Sequence, residues 1–366
     1  MSAGRRKPKL AIDVSPLLED QWTGIPVFTR RLVQALQRDG GVDLEFFTHC
    51  VAIPPDRVDA AIRINTGSFL RESLAGVVDD ARVFDRSRNL LFPTVKSAWT
   101  MSSHEASTIH DMSTLFMPEN HEEENIAFHL DHLKDELRTD EVVFCVSEAT
   151  RNALVAAFPS AERKARLIYQ YADWPKEFAI FDRNLPAPKV GRYAAVVGTI
   201  EPRKNLGLLI RALALPGIAR SELKFVVIGR KGWLVDRFLD ELTDAQRSRL
   251  VFTGFVSEFA KYRVIKHAEF LIFPSLYEGF GIPAVEAMSL GKPVLASRTS
   301  SFPEVIGDAG VYFDPLSVSE FAAAFDEIEA PARRRELAPR ALAQSRAFGP
   351  ERMAQPVLQW VNERDG

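Results

Sequence analysis

The second half of the chain carries the cleaner pattern of hydrophobic and polar positions. Six short apolar runs, "RYAAVVGTI", "LKFVVIG", "LVFTGF", "EFLIF", "PVLAS" and "VYFDP", are mostly separated by segments with apolar residues at helical spacing. Apolar runs of this length, bounded by turn residues, read as strands buried on both faces. The first half alternates in the same way. "KLAIDVSP" is followed by the helical "GIPVFTRRLVQALQRD" and the strand-like "VDLEFFTH". "ASTIHD" then precedes a long charged helix, "ENHEEENIAFHLDHLKDELRTD". "EVVFCVS" leads into the helical "EATRNALVAAFP", and "ARLIYQ" closes the half. Residues 52–105 carry too little pattern to assign an element. Alternating strands and helices imply a parallel sheet with right-handed crossovers. The predicted fold class is therefore α/β, with two Rossmann-like doubly wound domains facing across a cleft.

Three prolines, Pro175, Pro186 and Pro188, punctuate "DWPKEFAIFDRNLPAPKVG" and mark an interdomain linker. The expected boundaries are 1–175 for the first domain, 176–190 for the linker and 191–347 for the second domain. "PARRRELAPRALAQSRAF" reads as a helix with a solvated Arg-rich face. No solenoid period is visible.

Composition narrows the function classes. With 366 residues, 46% hydrophobic and 26% charged, the chain has the make-up of a globular protein of two ordinary domains. A net charge of −3 gives no reason to expect nucleic acid as a partner. Cys50 and Cys145 stand far apart without metal-ligand spacing, as expected in a reducing cytosol. No apolar run reaches transmembrane length, and "MSAGRRKPKLAIDVS" lacks the apolar core of a signal peptide. A cytoplasmic protein is the expectation.

The richest stretch is "SLYEGFGIPAVEAMSLGKPV". It follows a buried strand, and Pro283 is tolerated in the first turn of a short helix because its missing N–H has no partner there. Glu278 thus sits in a glycine-rich loop at the carboxyl end of a strand, where α/β sheets bind ligands. Glu286 follows early in the helix. Taken singly, Glu286 reads as a first-turn acid complementing the helix dipole and Glu278 as a solvated loop residue. The string "GFGIPA" matches G-x-G-x-x-A, but five residues from Pro274 to Glu278 separate it from the strand, which rules out the dinucleotide fingerprint. "VVGTIEPRKNLGLLIRAL" places Arg203 and Lys204 at a helix start after a strand, where two cations suit a diphosphate. By itself this string reads equally well as a solvated basic turn. "TIHDMSTL" puts His110 and Asp111 at another strand end, and "LEDQWTGIPVF" sets Gly24 just before the first helix. A lone histidine is more often structural.

Together these residues resemble the family 4 retaining glycosyltransferases, which have the two-Rossmann GT-B fold. The likeness covers nearly the whole chain and is strongest over residues 196–315. Its most specific element is the E-x7-E pair, Glu278 and Glu286, in order after "GTIEPRKN". The resemblance implies that Glu286 binds the nucleotide ribose and that Glu278 faces the donor sugar, beside the backbone N–H groups of Phe280, Gly281 and Ile282. It implies that Lys204 holds the diphosphate, that His110 reaches the transferred sugar, and that the Gly24 loop lines the cleft. Many members carry an arginine where this chain has Thr199; Arg203 is the candidate to supply that charge. The resemblance further implies a C-terminal helix, within 348–366, packing back on the first domain.

The activity so implied is metal-independent hexosyl transfer with retention, without a cofactor, from a nucleotide-sugar donor. GDP-mannose is favoured over UDP- and dTDP-sugars, and a saccharide or lipid-linked saccharide is the acceptor in surface polysaccharide assembly. Arg30, Arg31 and Arg38 on the first helix raise a peripheral membrane contact at the inner face, against the plainer reading of a core helix with a charged edge. The histidines of "HEEENIAFHLDH" are spread around a helix rather than gathered as metal ligands, and neither a D-x-D triplet nor a Walker A string occurs. Two other classes fit the same fold: a sugar-nucleotide epimerase or phosphorylase, and a non-catalytic sugar-nucleotide-binding subunit. Product analysis separates the first, and binding without turnover identifies the second.

Overall fold

The structure is a computed structural model that describes residues 7–49, 51–67, 70–71, 88–96, 100–232 and 242–363. The chain divides into two compact units, one of residues 1–170 with 349–366 and one of residues 171–348. Cys50 lies outside the described residues.

The first unit is built on a seven-stranded sheet in the order β3-β2-β1-β4-β5-β6-β7. Its strands are β1 (Lys9–Asp13), β2 (Asp43–Thr48), β3 (Val51–Ile53), β4 (Asn89–Leu91), β5 (His104–Ile109), β6 (Val142–Cys145) and β7 (Ala165–Leu167). Every pairing is parallel except that of the edge strand β3, which runs antiparallel to β2. β3, β4 and the helix Pro55–Ile64 fall largely in the stretch that the sequence left unassigned. The predicted long charged helix is two helices, Glu123–Leu130 and Leu133–Thr139, separated at Asp131 and His132. The first of these buries no residue, whereas the second buries Leu133, Glu136 and Leu137.

The helix Ile25–Asp39 starts at Gly24, whose φ of +52° favours glycine. Arg30 and Arg31 on this helix are buried, at 8% and 1% exposure, so they do not present charge to a membrane surface. Arg38, the third arginine behind the expectation of membrane contact, is exposed. The same helix packs against the C-terminal helix Pro350–Asn362, which belongs to the first unit. Trp360 of the C-terminal helix meets Phe144 edge-on and donates its indole N–H to Glu141 Oε2 at 3.1 Å. Arg166 adds a two-pronged pair with Glu363.

The second unit holds a wholly parallel six-stranded sheet in the order β10-β9-β8-β11-β12-β13. These strands are β8 (Tyr193–Val197), β9 (Lys224–Ile228), β10 (Leu250–Gly254), β11 (Leu271–Phe273), β12 (Val294–Ser297) and β13 (Gly310–Phe313). All six correspond to the apolar runs of the sequence. The stretch expected as a linker contains the helix Lys176–Arg183, anchored within the second unit. Its Asp182 is ringed by Arg263, Lys266 and His267 at 2.8–3.0 Å, which turns a proline-flanked segment into packed structure.

In both sheets the strand order reverses beside the first strand, between β1 and β4 and between β8 and β11. Crevices outside the carboxyl ends at such switch points are where α/β sheets take ligands. Among the described residues no helix is long and apolar enough to cross a membrane.

Candidate functional site

The switch point of the second unit gathers charge from two loops. After β8 the chain passes Gly198 and Thr199 and enters the 3-10 turn Pro202–Lys204. Arg203 and Lys204 therefore lie just ahead of the helix Leu206–Ala212. Asn205 intervenes in the left-handed region, and its side-chain amide donates to the carbonyls of Pro274 and Pro315. That side chain ties the β8 loop to the loops after β11 and β13. The left-handed kink turns the chain between the basic residues and the helix.

Glu278 lies in the loop after β11 and is 6% exposed. Its Oε1 accepts from Lys204 Nζ at 2.6 Å and from Ser275 Oγ at 2.8 Å. Arg203 stands 3.6 Å from Oε2. Burial alone would raise the Glu278 pKa, but Lys204 and Arg203 overcome it and hold the carboxyl below its ordinary value. Arg203 also donates to Glu201 Oε1 at 2.8 Å and to the Tyr277 carbonyl at 3.0 Å. The loop backbone is fixed in turn. The Glu278 N–H donates to Ser300 Oγ, and Ser301 Oγ donates to the Glu278 carbonyl. The structure thus brings Arg203, Lys204 and Glu278 into one contact group.

Phe280, Gly281 and Ile282 continue this loop into the helix Ile282–Met288. Gly281 has φ +86°, and a Cβ there would lie 2.9 Å from the Phe302 ring. Only glycine meets both demands without strain. Phe280 is buried against Phe348. Glu286, one turn into the helix, is fully buried and turns to a different cation. Its two carboxylate oxygens lie 3.0 and 2.9 Å from Lys261 Nζ. The two glutamates of the E-x7-E pair therefore have separate partners. The Thr199 methyl group faces Gly232 of the loop after β9.

His110 and Gly24 belong to the first unit. Phe28, whose N–H donates to the Gly24 carbonyl, packs edge-on against the His110 ring at 4.8 Å. His110 Nε2 is 2.7 Å from the Pro93 carbonyl, which can only accept, so Nε2 carries the hydrogen and Nδ1 is the acceptor. Burial lowers the His110 pKa to about 4, which keeps the ring neutral. Asp111 Oδ1 accepts from both the N–H and the hydroxyl of Ser113, and the Ser113 hydroxyl is also 2.9 Å from His121 Nε2. Among the described residues no cluster of three metal-ligating side chains occurs.

Sequence reasoning missed Lys261 and Trp174. The Lys261 ammonium lies over the Trp174 ring, 5.3 Å from its centre, and the indole N–H points at Ser289 Oγ and the Glu286 carbonyl. Lys261 sits on the cation-rich helix Glu258–His267, where its spacing does not mark it out. Trp174 sits at the start of the stretch read as a linker.

Residues 178–342 match the family described as "Glycosyl transferases group 1". The chain is 31% identical over 251 residues to the O-antigen chain mannosyltransferase B of Escherichia coli, covering 66% of each protein. It is 36% identical over 154 residues to the serotype-specific mannosyltransferase WbdA of Escherichia coli, covering 41% of this chain and 19% of that one. The chain thus spans just under two thirds of the first relative's length and about a fifth of the second's. Sucrose-phosphate synthase of Thermosynechococcus elongatus superposes with a TM-score of 0.69 over 98% of this chain and 99% of that one, at 19% identity. The glycosyltransferase WaaG, involved in lipopolysaccharide biosynthesis, gives 0.64 over 96% and 99%, at 14% identity. The fold is that of the GT-B glycosyltransferases.

Proposed function

We propose, from the premise that residues 178–342 form a glycosyl transferases group 1 domain, that the chain is a retaining hexosyltransferase. It moves a mannosyl group from GDP-mannose to a saccharide or lipid-linked saccharide acceptor in surface polysaccharide assembly. The mannosyltransferase relatives support the choice of sugar. The observation that carries the reading is the contact group of Lys204, Arg203 and Glu278 at the switch point of the second unit.

The chemistry follows from these partners. The bond from the sugar C1 to the β-phosphate oxygen breaks, and its electron pair stays on the departing diphosphate. Lys204 and Arg203 take up that growing negative charge, the kind of stabilisation that usually contributes most to catalysis. An ammonium has three N–H donors, so Lys204 can keep Glu278 and still reach a phosphate oxygen. The backbone N–H groups of Phe280, Gly281 and Ile282 add neutral donors nearby. Arg203 supplies the charge that an arginine at the Thr199 position provides in many relatives of this type.

Positive charge develops on the sugar as the bond lengthens. Glu278, kept ionised by its two cations, accepts a hydroxyl of that sugar. Neutral His110 accepts another through Nδ1, and the Gly24 loop lines the acceptor side. The acceptor oxygen attacks C1 from the face the diphosphate leaves, and its proton passes to the departing phosphate oxygen. Configuration is retained without a covalent intermediate. Glu286 holds the ribose.

Two measurements test this reading. In a thermal-shift titration GDP should stabilise the protein more than UDP or dTDP, because a preferred ligand stabilises by mass action. A larger shift with UDP would overturn the donor assignment. Mannosyl transfer from GDP-mannose to mannose-terminated oligosaccharides should persist in excess EDTA. Loss of transfer that manganese restores would overturn metal independence. We place the protein in the cytoplasm, with any contact to the inner face of the membrane made through a lipid-linked acceptor.

A further inference from the structure

We propose that Trp174 is a positioning residue for nucleotide binding, holding the Lys261–Glu286 pair in place. The inference rests on the reading that Glu286 takes the ribose. Glu286 is fully buried, and a carboxylate there keeps its charge only while a cation stays beside it. That cation is Lys261, whose side chain is 21% exposed and ends a flexible four-carbon stem. Trp174 acts on both members of the pair. Its ring lies under the ammonium at 5.3 Å, a cation–π contact that limits where the lysine can point.

The other end of the indole reaches the backbone of Glu286. Its N–H donates to Ser289 Oγ at 3.1 Å and lies 3.4 Å from the Glu286 carbonyl. Ser289 Oγ in turn donates to that same carbonyl at 2.7 Å. Trp174 is only half-buried, packed on Tyr262 and Phe178. A leucine could fill that apolar role, but it could neither face a cation with a ring nor offer an N–H. Tryptophan is thus required by the ion pair and not by the packing. Trp174 touches neither the reacting bond nor the diphosphate cations, so its effect falls on binding and not on the chemical step.

Calorimetric titration with GDP, or with UDP should UDP bind the wild type more tightly, tests this in the full chain. Trp174→Leu should weaken the nucleotide about ten-fold, while kcat at saturating donor stays within about two-fold. Trp174→Phe keeps a ring for Lys261 and should recover part of the loss. In a Glu286→Gln background, Trp174→Leu should add no further loss, because the residue acts through Glu286. If Glu286→Gln weakens the nucleotide and Trp174→Leu does not, the role of Trp174 is refuted while the ribose reading stands. If Glu286→Gln binds as wild type does, the ribose reading itself fails and this inference with it. Additive losses in the double variant, or equal loss with Phe and Leu, would make Trp174 a packing residue and overturn the proposal. Should Trp174→Leu fail to fold, Lys261→Met in the same cycle carries the test: an additive loss there refutes the pair as the route.

Discussion

The two units place charge differently. In the second unit Glu201, Arg203, Lys204 and Glu278 interlock at the carboxyl ends of the strands. In the first unit the corresponding sheet end carries a neutral imidazole, His110, next to Asp111. A buried charged group of that unit, Lys96 with Glu105 and Asp140, lies beside the amino ends of β5 and β6. A diphosphate is charged and a hexose is not. Under the proposed function, the charged group of the second unit would meet the diphosphate and neutral His110 would meet a hydroxyl of the hexose.

The hardest blow to this contrast is Lys204→Ala. It removes the ammonium 2.6 Å from Glu278 and leaves that buried carboxylate with Arg203 as its nearby cation. Transfer should fall by about 10²–10³-fold, as when one preorganised electrostatic donor is removed. Free nucleoside diphosphate should also bind more weakly by calorimetry. Undiminished binding of the diphosphate would break the assignment of charge to the second unit.

The two glutamates sharpen it within that unit. Glu286→Gln keeps shape and removes charge, so donor and free diphosphate should both bind more weakly by about 1.5–3 kcal/mol, a lost bond to a charged group. Glu278→Gln should bind the free diphosphate nearly as wild type does while transfer falls. Identical behaviour of the two variants would show that the separate partners, Lys261 and Lys204, carry no functional distinction.

How far these features could be read in advance depends on the physics of each. The second sheet was legible because β8, β9, β11 and β12 are continuous apolar runs that are almost wholly buried, while the edge strands β10 and β13 still read as short apolar runs although partly exposed. β3 and β4 are three residues each, "VAI" and "NLL", too short to show any period, although β4 lies centrally between β1 and β5. The loop residues Arg203, Lys204 and Glu278 were visible as a motif. Lys261 was not, because its helix also carries Arg263, Lys266 and His267. At the helical period those three share the face opposite Lys261 and meet Asp182, but which face turns to Glu286 is settled only by packing. The helix within the linker stretch was hidden for the same reason: prolines flank it, and its anchor, Asp182, lies distant in sequence from its partners.

His110 provides a gentler test of the first unit's neutrality. Its pKa near 4 means that the ring carries no charge above about pH 5. The pH profile of transfer should show no histidine inflection between pH 6 and 7, and imidazole NMR should report the Nε2–H tautomer throughout. A folded-state value below the unfolded one means that the unfolded chain binds the proton first. Stability from this residue is therefore complete above the unfolded value of 6.5 and is lost as pH falls through about 4. An NMR midpoint between 6 and 7 would contradict a neutral acceptor.

The smallest expected effect on activity lies in the first unit's internal charge. Glu136 accepts the backbone N–H of Lys96, and its pKa is raised to about 8, first by burial and then by the neighbouring Asp140 and Glu105 against the pull of Lys96. A raised folded-state value reverses the sign seen for His110. The contribution is fully present below the unfolded value of 4.5 and is lost as pH rises through about 8. Glu136→Gln retains an amide oxygen to accept from Lys96 and never ionises. Its melting temperature should match wild type near pH 4 and exceed it near pH 8.5 by about 2–4 °C, the shift expected from about 1 kcal/mol in a unit of this size. Transfer at pH 7 should be unchanged, since Glu136 stands with the Lys96 cluster and not with His110. A melting difference that is flat with pH would mean that Glu136 is already ionised in the folded protein. A loss of transfer without loss of stability would place this cluster in the function of the first unit and undo the contrast between the two sheets.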